Sequence, residues 1–275
     1  MSTPILTTKY LAMPALGLGT WPMKGAECQG AVESALGLGY RHIDTAEMYG
    51  NEEAVGAALA GTHVPRGEIF LTTKIWHDKP DGARFRAAFE QSLVRLKQPY
   101  VNLLLIHWPS PELDLPSVLT EMAKLHEEGL AHAVGVSNFP AGLLKQAMAL
   151  DIAKIACLQV EHHAMLDQQK LLDITQPAGI VLASYSPLGR GELMDDPVIT
   201  AMADRLDATP AQVALAWLLS KHLVAAVPKA ASPKRQAENL AAAALKLSES
   251  DLDAIAALPK NRRFVDPAFA PDWTS

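Results

Sequence analysis

The chain alternates short apolar runs with longer stretches in which apolar residues recur every three or four positions. The short runs are Arg41–Thr45, Ile69–Ile75, Val101–Trp108, Ala133–Ser137, Ile155–Val160, Gly179–Ser184 and Val224–Pro228. They are rich in Val, Ile and Leu and nearly continuous in apolar character, as parallel strands buried on both faces are. Between them a helical period runs through Cys28–Leu38, Asn51–Ala60, Ala83–Leu96, Ser117–Glu128, Ala141–Ala149, Asp195–Leu206 and Pro210–Lys221. Thr209 before Pro210 marks a helix start, with a threonine cap and proline in the first turn. An eighth unit is expected from Leu240–Ala244 as a short strand. Ser248–Leu258 follows as a helix with a serine cap and acids in its first turn. Eight β–α units in roughly 250 residues predict an α/β fold, a (β/α)8 TIM barrel, with an open doubly wound sheet as the rival. Residues 6–19 are expected to form an N-terminal β-hairpin before the barrel, and 259–275 a short proline-rich C-terminal tail.

No linker or change of composition divides the 275 residues, which predicts a single barrel domain over 1–275. Hydrophobic residues make up 49% and charged residues 20%, as in an ordinary globular protein with a sizeable core. The net charge of −6, with no basic cluster, argues against nucleic acid or an anionic membrane as a partner. Two cysteines, Cys28 and Cys157, suggest a reducing compartment without a disulfide framework. The first residues carry no basic segment leading into a long apolar one, and no apolar run reaches the length of a membrane span. The expectation is a cytoplasmic monomer acting on a small molecule.

Active sites of (β/α)8 barrels lie at the C-terminal ends of the strands. Asp44, Lys74, His107, Ser137-Asn138, Gln159, Tyr185 and Lys229 all fall at or just beyond expected strand ends, and Tyr49 follows Asp44 by five residues. A free phenol has a pKa near 10, and bringing it toward 7 takes roughly 4 kcal/mol, at about 1.36 kcal/mol per unit. An ammonium within about 4–6 Å supplies much of that. Lys74 is the candidate cation, kept charged and placed by Asp44, and a neutral His107 could donate to a substrate oxygen and orient it. Each residue alone reads more readily as a structural ion pair, a surface tyrosine or a satisfied strand-end histidine. Together they predict protonation of a carbonyl coupled to hydride transfer.

Three segments carry a resemblance along nearly the whole chain: GYRHIDTAEMYGNEEAVG at 39–56, VGVSNF at 134–139 and VPKAASPKRQAENL at 227–240. The sequence resembles the aldo-keto reductases. Within them it is most similar to the bacterial 2,5-diketo-gluconate reductase group, notably in IHWPSP at 106–111 and FAPDW at 269–273. The resemblance implies a (β/α)8 barrel, NADPH as cofactor, and Asp44, Tyr49, Lys74 and His107 as the catalytic four, with Tyr49 the general acid in reduction. It implies Ser137, Asn138 and Gln159 at the nicotinamide carboxamide and Tyr185 stacked on the nicotinamide ring. Ser186, Pro187 and Leu188 would begin the loop over the pyrophosphate. Lys229 and Arg235 would face the adenosine 2′-phosphate, with Glu238 and Asn239 near the adenine. Thr20 would lie near the cofactor, and Trp21, with Trp76 and Trp108, near the substrate. The group is associated with diketo-sugar acids, methylglyoxal and β-keto esters.

Two positions depart from the family pattern. Ala230 stands where Ser or Thr usually follows the lysine, which removes one hydrogen bond of about 0.5–1.5 kcal/mol and would weaken the NADPH preference several-fold. His132 stands where Lys, Arg, Glu or Gln is common before VGVSNF, with little expected consequence. Gly17-Leu18-Gly19 starts like a dinucleotide fingerprint but lacks the third glycine and a preceding buried strand. His162 and His163 beside Glu161 invite a metal reading, yet adjacent strand residues point to opposite faces and would not readily share an ion. The aromatic residues of the tail, Phe264, Phe269 and Trp273, either fold over the barrel mouth or pack against its side. The competing functions are a regulatory NADPH-binding subunit with little turnover, like the potassium-channel β-subunits, and a metal-dependent barrel hydrolase.

Overall fold

The computed structural model describes residues 3–274. A two-stranded antiparallel hairpin, β1 (Ile5–Thr7) and β2 (Ala12–Pro14), comes first. Eight strands follow in one parallel sheet whose spatial order is the chain order: β3 (Leu18–Gly19), β4 (His42–Asp44), β5 (Phe70–Ile75), β6 (Leu103–Ile106), β7 (Val134–Ser137), β8 (Ile155–Glu161), β9 (Val181–Tyr185) and β10 (Val224–Ala226). The sheet closes on itself. Parallel bridges join Leu16 to Ala226 and Gly19 to Lys229, with Gly17 N–H donating to Ala226 O at 2.9 Å and Gly19 N–H to Pro228 O at 3.0 Å. The architecture is the expected (β/α)8 barrel with an added hairpin.

One assignment of the eight strands needs correction. Leu240–Ala244 is not a strand: Leu240 and Ala241 form the end of helix α9 (Pro233–Ala241) and Ala242–Ala244 is a 3-10 turn. Alanine is the strongest helix former, and four in succession favour helix over strand. The missing strand is β3, which belongs to the barrel and not to the hairpin. Its two residues are too few to show any alternation. What marks them in the sequence is the pair of glycines, and their reason is steric. A Cβ on Gly17 would sit 2.6 Å from the His42 ring, and one on Gly19 would sit 2.5 Å from Val227 O. Gly19 thus permits the close approach that closes the barrel, and Gly17 leaves room for the His42 ring of the neighbouring strand.

Helices α1 (Gly25–Leu38), α2 (Glu52–Gly61), α3 (Gly82–Leu96), α4 (Leu115–Glu127), α5 (Ala141–Ala149) and α6 (Gln169–Thr175) connect β3 to β9. Two helices, α7 (Pro197–Arg205) and α8 (Pro210–Leu219), lie between β9 and β10. Asp196 caps α7, and Thr209 forms a capping box with Gln212 at the start of α8. Ser248 and Asp251 form a second box at α10 (Glu249–Ala256). Among the described residues no helix is long and apolar enough to cross a membrane.

The alternation of strand side chains divides the core in two. Leu104 and Ile106 of β6 join the larger cluster, between the strands and the surrounding helices. Leu103 and Leu105 point inward and meet Phe70, Ala133, Val181 and Leu223 at the N-terminal ends of the strands. Leu11 and Met13 from the hairpin complete that inner cluster, so the hairpin plugs one mouth of the barrel and leaves the other for the site.

His42 lies in the same interior, buried, with Nε2 3.1 Å from Thr72 Oγ1. Burial lowers its pKa to about 4, and burial lowers that of His162 to about 3. Both are depressed below the ordinary value near 6.5, so the stability tied to their neutral forms is complete above about pH 6.5 and is lost as pH falls toward the folded values. At about 1.36 kcal/mol per unit, His42 contributes on the order of 3 kcal/mol and His162 on the order of 5 kcal/mol to acid sensitivity once pH has fallen below the folded values. Denaturant unfolding should show a marked loss of stability between pH 7 and 4.5, with a shallower slope in His42→Gln. A flat profile for the wild type would refute this assignment.

Candidate active site

The C-terminal ends of the strands open into a cleft of about 1160 Å³. The register explains how the acid and the amine meet. Asp44 ends β4 opposite Thr72, and Lys74 lies two residues further along β5, so both project into the barrel at adjacent levels. Lys74 Nζ is fully buried and has three partners: Asp44 Oδ1 at 2.5 Å, Thr45 O at 2.8 Å and Tyr49 Oη at 3.3 Å. The other Asp44 oxygen accepts from Gln159 Nε2 at 2.7 Å. Burial opposes the charge on Lys74, but Asp44 and then Tyr49 outweigh it and hold the amine above its ordinary pKa. The ammonium is therefore the stable form, aimed at the phenol.

The loop carrying Tyr49 is braced from three sides. Tyr49 ends a 3-10 turn over Glu47–Tyr49, stopped by Gly50 in the left-handed region. Glu47 Oε2 accepts from Trp76 N–H at 3.0 Å, and its Oε1 pairs with Lys79 at 3.2 Å. Asn51 is buried behind the turn. Its oxygen accepts from Thr45 Oγ1 at 2.7 Å, and its amide donates to Met23 O at 2.9 Å and Thr20 O at 3.3 Å. Glu52, also buried, accepts from Thr73 Oγ1 at 2.6 Å and pairs with Arg95 at 2.7 Å. These bracing residues carry no signal as chemistry in the sequence, because what they do depends on which loops lie beside them.

The phenol departs from expectation in one respect. Burial raises the Tyr49 pKa; the Lys74 ammonium pulls it down, Asp44 pushes it up again, and the net direction is upward. The cation does not bring Tyr49 toward neutrality; it offsets part of the desolvation. Tyr49 is thus a protonated phenol at neutral pH, the form a proton donor needs, with a cation placed to stabilise the phenolate once the proton leaves. His107 follows β6, with its ring centroid 5.5 Å from that of Tyr49. Burial, and then the Lys74 and His77 charges, drive its pKa well below the usual value. It is neutral, as an oxygen-orienting donor should be.

Every expected site residue except Lys74 lines the cleft; Lys74 lies directly beneath it. Ser137 ends β7, Asn138 follows it and Gln159 lies two residues before the end of β8; all three are buried. Asn138 Nδ2 donates to His107 O at 3.0 Å and its Oδ1 accepts from Tyr185 Oη at 2.8 Å. Asn138 and Ser186 both take positive φ, a conformation asparagine tolerates better than most residues. Thr20 Oγ1 donates to Asp44 O at 3.0 Å. Pro187 and Leu188 lead from Ser186 along the rim. Lys229, Arg235, Glu238 and Asn239 line the part of the cleft formed by the loop after β10 and the first turns of α9.

Aromatic rings surround the phenol. Trp21 lies 5.1 Å from Tyr49, and Trp76 lies 5.0 Å from His107 in an edge contact. The tail folds over the mouth: Phe269 meets Trp76 and Trp108, each at 5.5 Å, and Trp273 meets Trp108 at 5.9 Å. Phe264, Val265, Asp266 and Pro267 also line the cleft, as do Met48, Arg190 and Met194. Phe264 thus takes the first of the two places expected for it, over the mouth; the others were not singled out, because only the fold brings Val265–Pro267 of the tail, Met48 and the turn at 189–194 to one cleft. His162 Nδ1 faces Ser184 Oγ at 3.1 Å while His163 Nε2 faces Glu161 Oε1 at 3.1 Å, so the two rings serve different partners. Ala230 is buried in the core, and its carbonyl accepts from Gln236 Nε2 at 3.0 Å.

The arrangement can donate a proton from Tyr49 to an oxygen held between that phenol and His107, with Lys74 and Asp44 balancing the charge. Known proteins resemble this chain in sequence and in fold. The profile of the Aldo/keto reductase family matches residues 15–260. The methylglyoxal reductase DkgB of Escherichia coli O157:H7 is 39% identical over 267 residues, covering 96% of this chain and all of that protein. An aldo-keto reductase of Mycolicibacterium vanbaalenii is 41% identical, covering 92% of this chain and 90% of that one. A crystal structure assigned as a 2,5-diketo-D-gluconic acid reductase B superposes with a TM-score of 0.96 at 36% identity, covering 100% of this chain and 98% of that one. The structure of a Bombyx mori aldo-keto reductase in complex with NADP superposes with a TM-score of 0.90 at 30% identity, covering 97% and 96%. The chain belongs to the aldo/keto reductase family.

Proposed function

We propose that this protein reduces aldehyde and ketone carbonyls to alcohols with NADPH, acting on small dicarbonyls or keto acids such as methylglyoxal or 2,5-diketogluconate. The observation that carries the reading is the contact of 3.3 Å between Lys74 Nζ and Tyr49 Oη, with Asp44 behind the lysine and the cleft in front of the phenol. Tyr49 gives its proton to the carbonyl oxygen, and the phenolate left behind faces the Lys74 ammonium. Asp44 keeps that ammonium charged and in place. The neutral His107 orients the oxygen, and Trp21, Trp76 and Trp108 line the cleft around it.

NADPH fits the donor set. Buried Ser137, Asn138 and Gln159 suit a carboxamide at one end, and the exposed cations Lys229 and Arg235 suit a phosphate at the other. The cleft exceeds the usual span of about 300–1,000 Å³ for a single small ligand, which leaves room for cofactor and carbonyl together. When bound, the cofactor supplies the hydride to the carbonyl carbon. The DkgB relatives and the structure neighbours support the two named substrates.

The test is a panel of methylglyoxal, 2,5-diketogluconate, simple aldehydes and β-keto esters, followed by NADPH absorbance. Turnover of at least one carbonyl with NADPH is the expected result. NADPH binding with no turnover of any of them would replace this reading with the regulatory-subunit one.

A further inference from the structure

Glu161 ends β8 two residues beyond Gln159, on the same face of the strand, yet it forms no hydrogen bond or ion pair with Asp44, Tyr49, Lys74 or His107. Its carboxylate is fully buried. Oε1 accepts from Phe264 N–H at 2.8 Å and His163 Nε2 at 3.1 Å; Oε2 accepts from Val265 N–H at 3.0 Å, with Arg263 Nη1 at 3.9 Å. A charge taken out of water is costly unless it is fully paired, and here its hydrogen-bonding partners are largely the backbone of the tail. Burial raises the carboxyl pKa, but His163 and the two tail N–H groups outweigh it and hold Glu161 ionised.

The segment so held is the one that walls the cleft. Val265, Asp266 and Pro267 line it, and Phe269 reaches the Trp76 and Trp108 rings beside His107. A second link ties the tail to the rim loop after β9. Arg262 donates to both oxygens of Glu192, at 3.2 and 3.0 Å, and Phe264 packs where a Cβ on Gly189 would come within 3.3 Å of its ring.

We propose that Glu161 is a positioning residue for the carbonyl substrate: it clasps the backbone of the tail at Phe264 and Val265 and thereby sets Phe269 against the aromatic wall of the cleft. The inference rests on the reductase reading above. It identifies a residue that touches neither carbonyl nor cofactor but determines how tightly the carbonyl is held.

Glu161→Gln keeps the shape but turns one acceptor into a donor facing an N–H group. The expected result is a KM for methylglyoxal raised about tenfold, the equivalent of about 1.4 kcal/mol, with kcat and the NADPH dissociation constant each within about threefold. Loss of uniform binding has that signature, and a general loosening of the barrel does not. Two further measurements separate a clasp from a merely structural role. Amide exchange should quicken in residues 262–273 and stay unchanged in the strands, and the KM effect should not add to that of Phe269→Ala. Val265→Pro removes one donor without touching the buried carboxylate, and should raise KM in the same direction even if Glu161→Gln folds poorly. Unchanged KM, parallel losses of kcat and NADPH affinity, or full additivity with Phe269→Ala would each overturn the proposal. A wild-type protein that turns over no carbonyl would instead overturn the reductase reading beneath it.

Discussion

Tyr49→Phe is expected to lose about 10²–10⁴-fold in kcat for carbonyl reduction, the usual contribution of a positioned general acid. Fold and NADPH binding should be retained. The substitution removes one oxygen, which accepts from Lys74 Nζ at 3.3 Å. The ring contacts with Trp21 and His107 and the Lys74 ammonium at 4.9 Å from the ring centroid are open to phenylalanine as well. Circular dichroism and NADPH fluorescence titration should match the wild type while absorbance assays show the loss. Turnover near wild type would end the proposed mechanism. The pH profile supplies a second check. Because burial holds the phenol above its ordinary pKa despite Lys74, Tyr49 stays protonated through neutrality. The alkaline limb of reduction should therefore lie above the ordinary phenol range, with no fall through neutrality. A fall centred near pH 7 would mean that Lys74 dominates after all.

Lys229→Ala is expected to raise the NADPH dissociation constant about 10–100-fold, from the roughly 1.5–3 kcal/mol that a hydrogen bond to a charged group contributes. The NADH constant should move by less than about threefold, since no 2′-phosphate is present to lose its partner. The backbone of Lys229 is held by the barrel closure, in its bridge to Gly19, so a change of side chain should not disturb the loop. Its side chain is exposed, so the difference between the cofactors should shrink with added salt. Equal changes for the two cofactors would place the 2′-phosphate elsewhere.

Seven barrel strands are visible as apolar runs because each is buried on both faces, and burial writes itself into a segment's own residues. The caps at Thr209 and Ser248 are visible because a cap acts on its own helix start; that each closes a box with the residue three positions on is added by the structure. Strand β3 is not visible as a strand, because two residues carry no period. Its glycines answer to His42 and Val227, which are distant in the sequence. The misplaced strand at 240–244 is the converse case, an apolar run whose alanines pack as helix.

The residue types of the site also stand in the sequence. Asp44, Tyr49, Lys74 and His107 are recognisable by order and spacing, and so are the polar strand ends at Ser137, Asn138 and Gln159. Their meeting is tertiary: Gln159 donates to Asp44 across 115 residues, and Glu161 holds an N–H of the tail across 103. Which way the phenol titrates, and whether the tail covers the mouth or the flank, were decided only there. Periodicity and motif record what each segment needs from its own neighbours. Desolvation, charge balance and contacts between distant segments depend on distances that exist only once the barrel has closed.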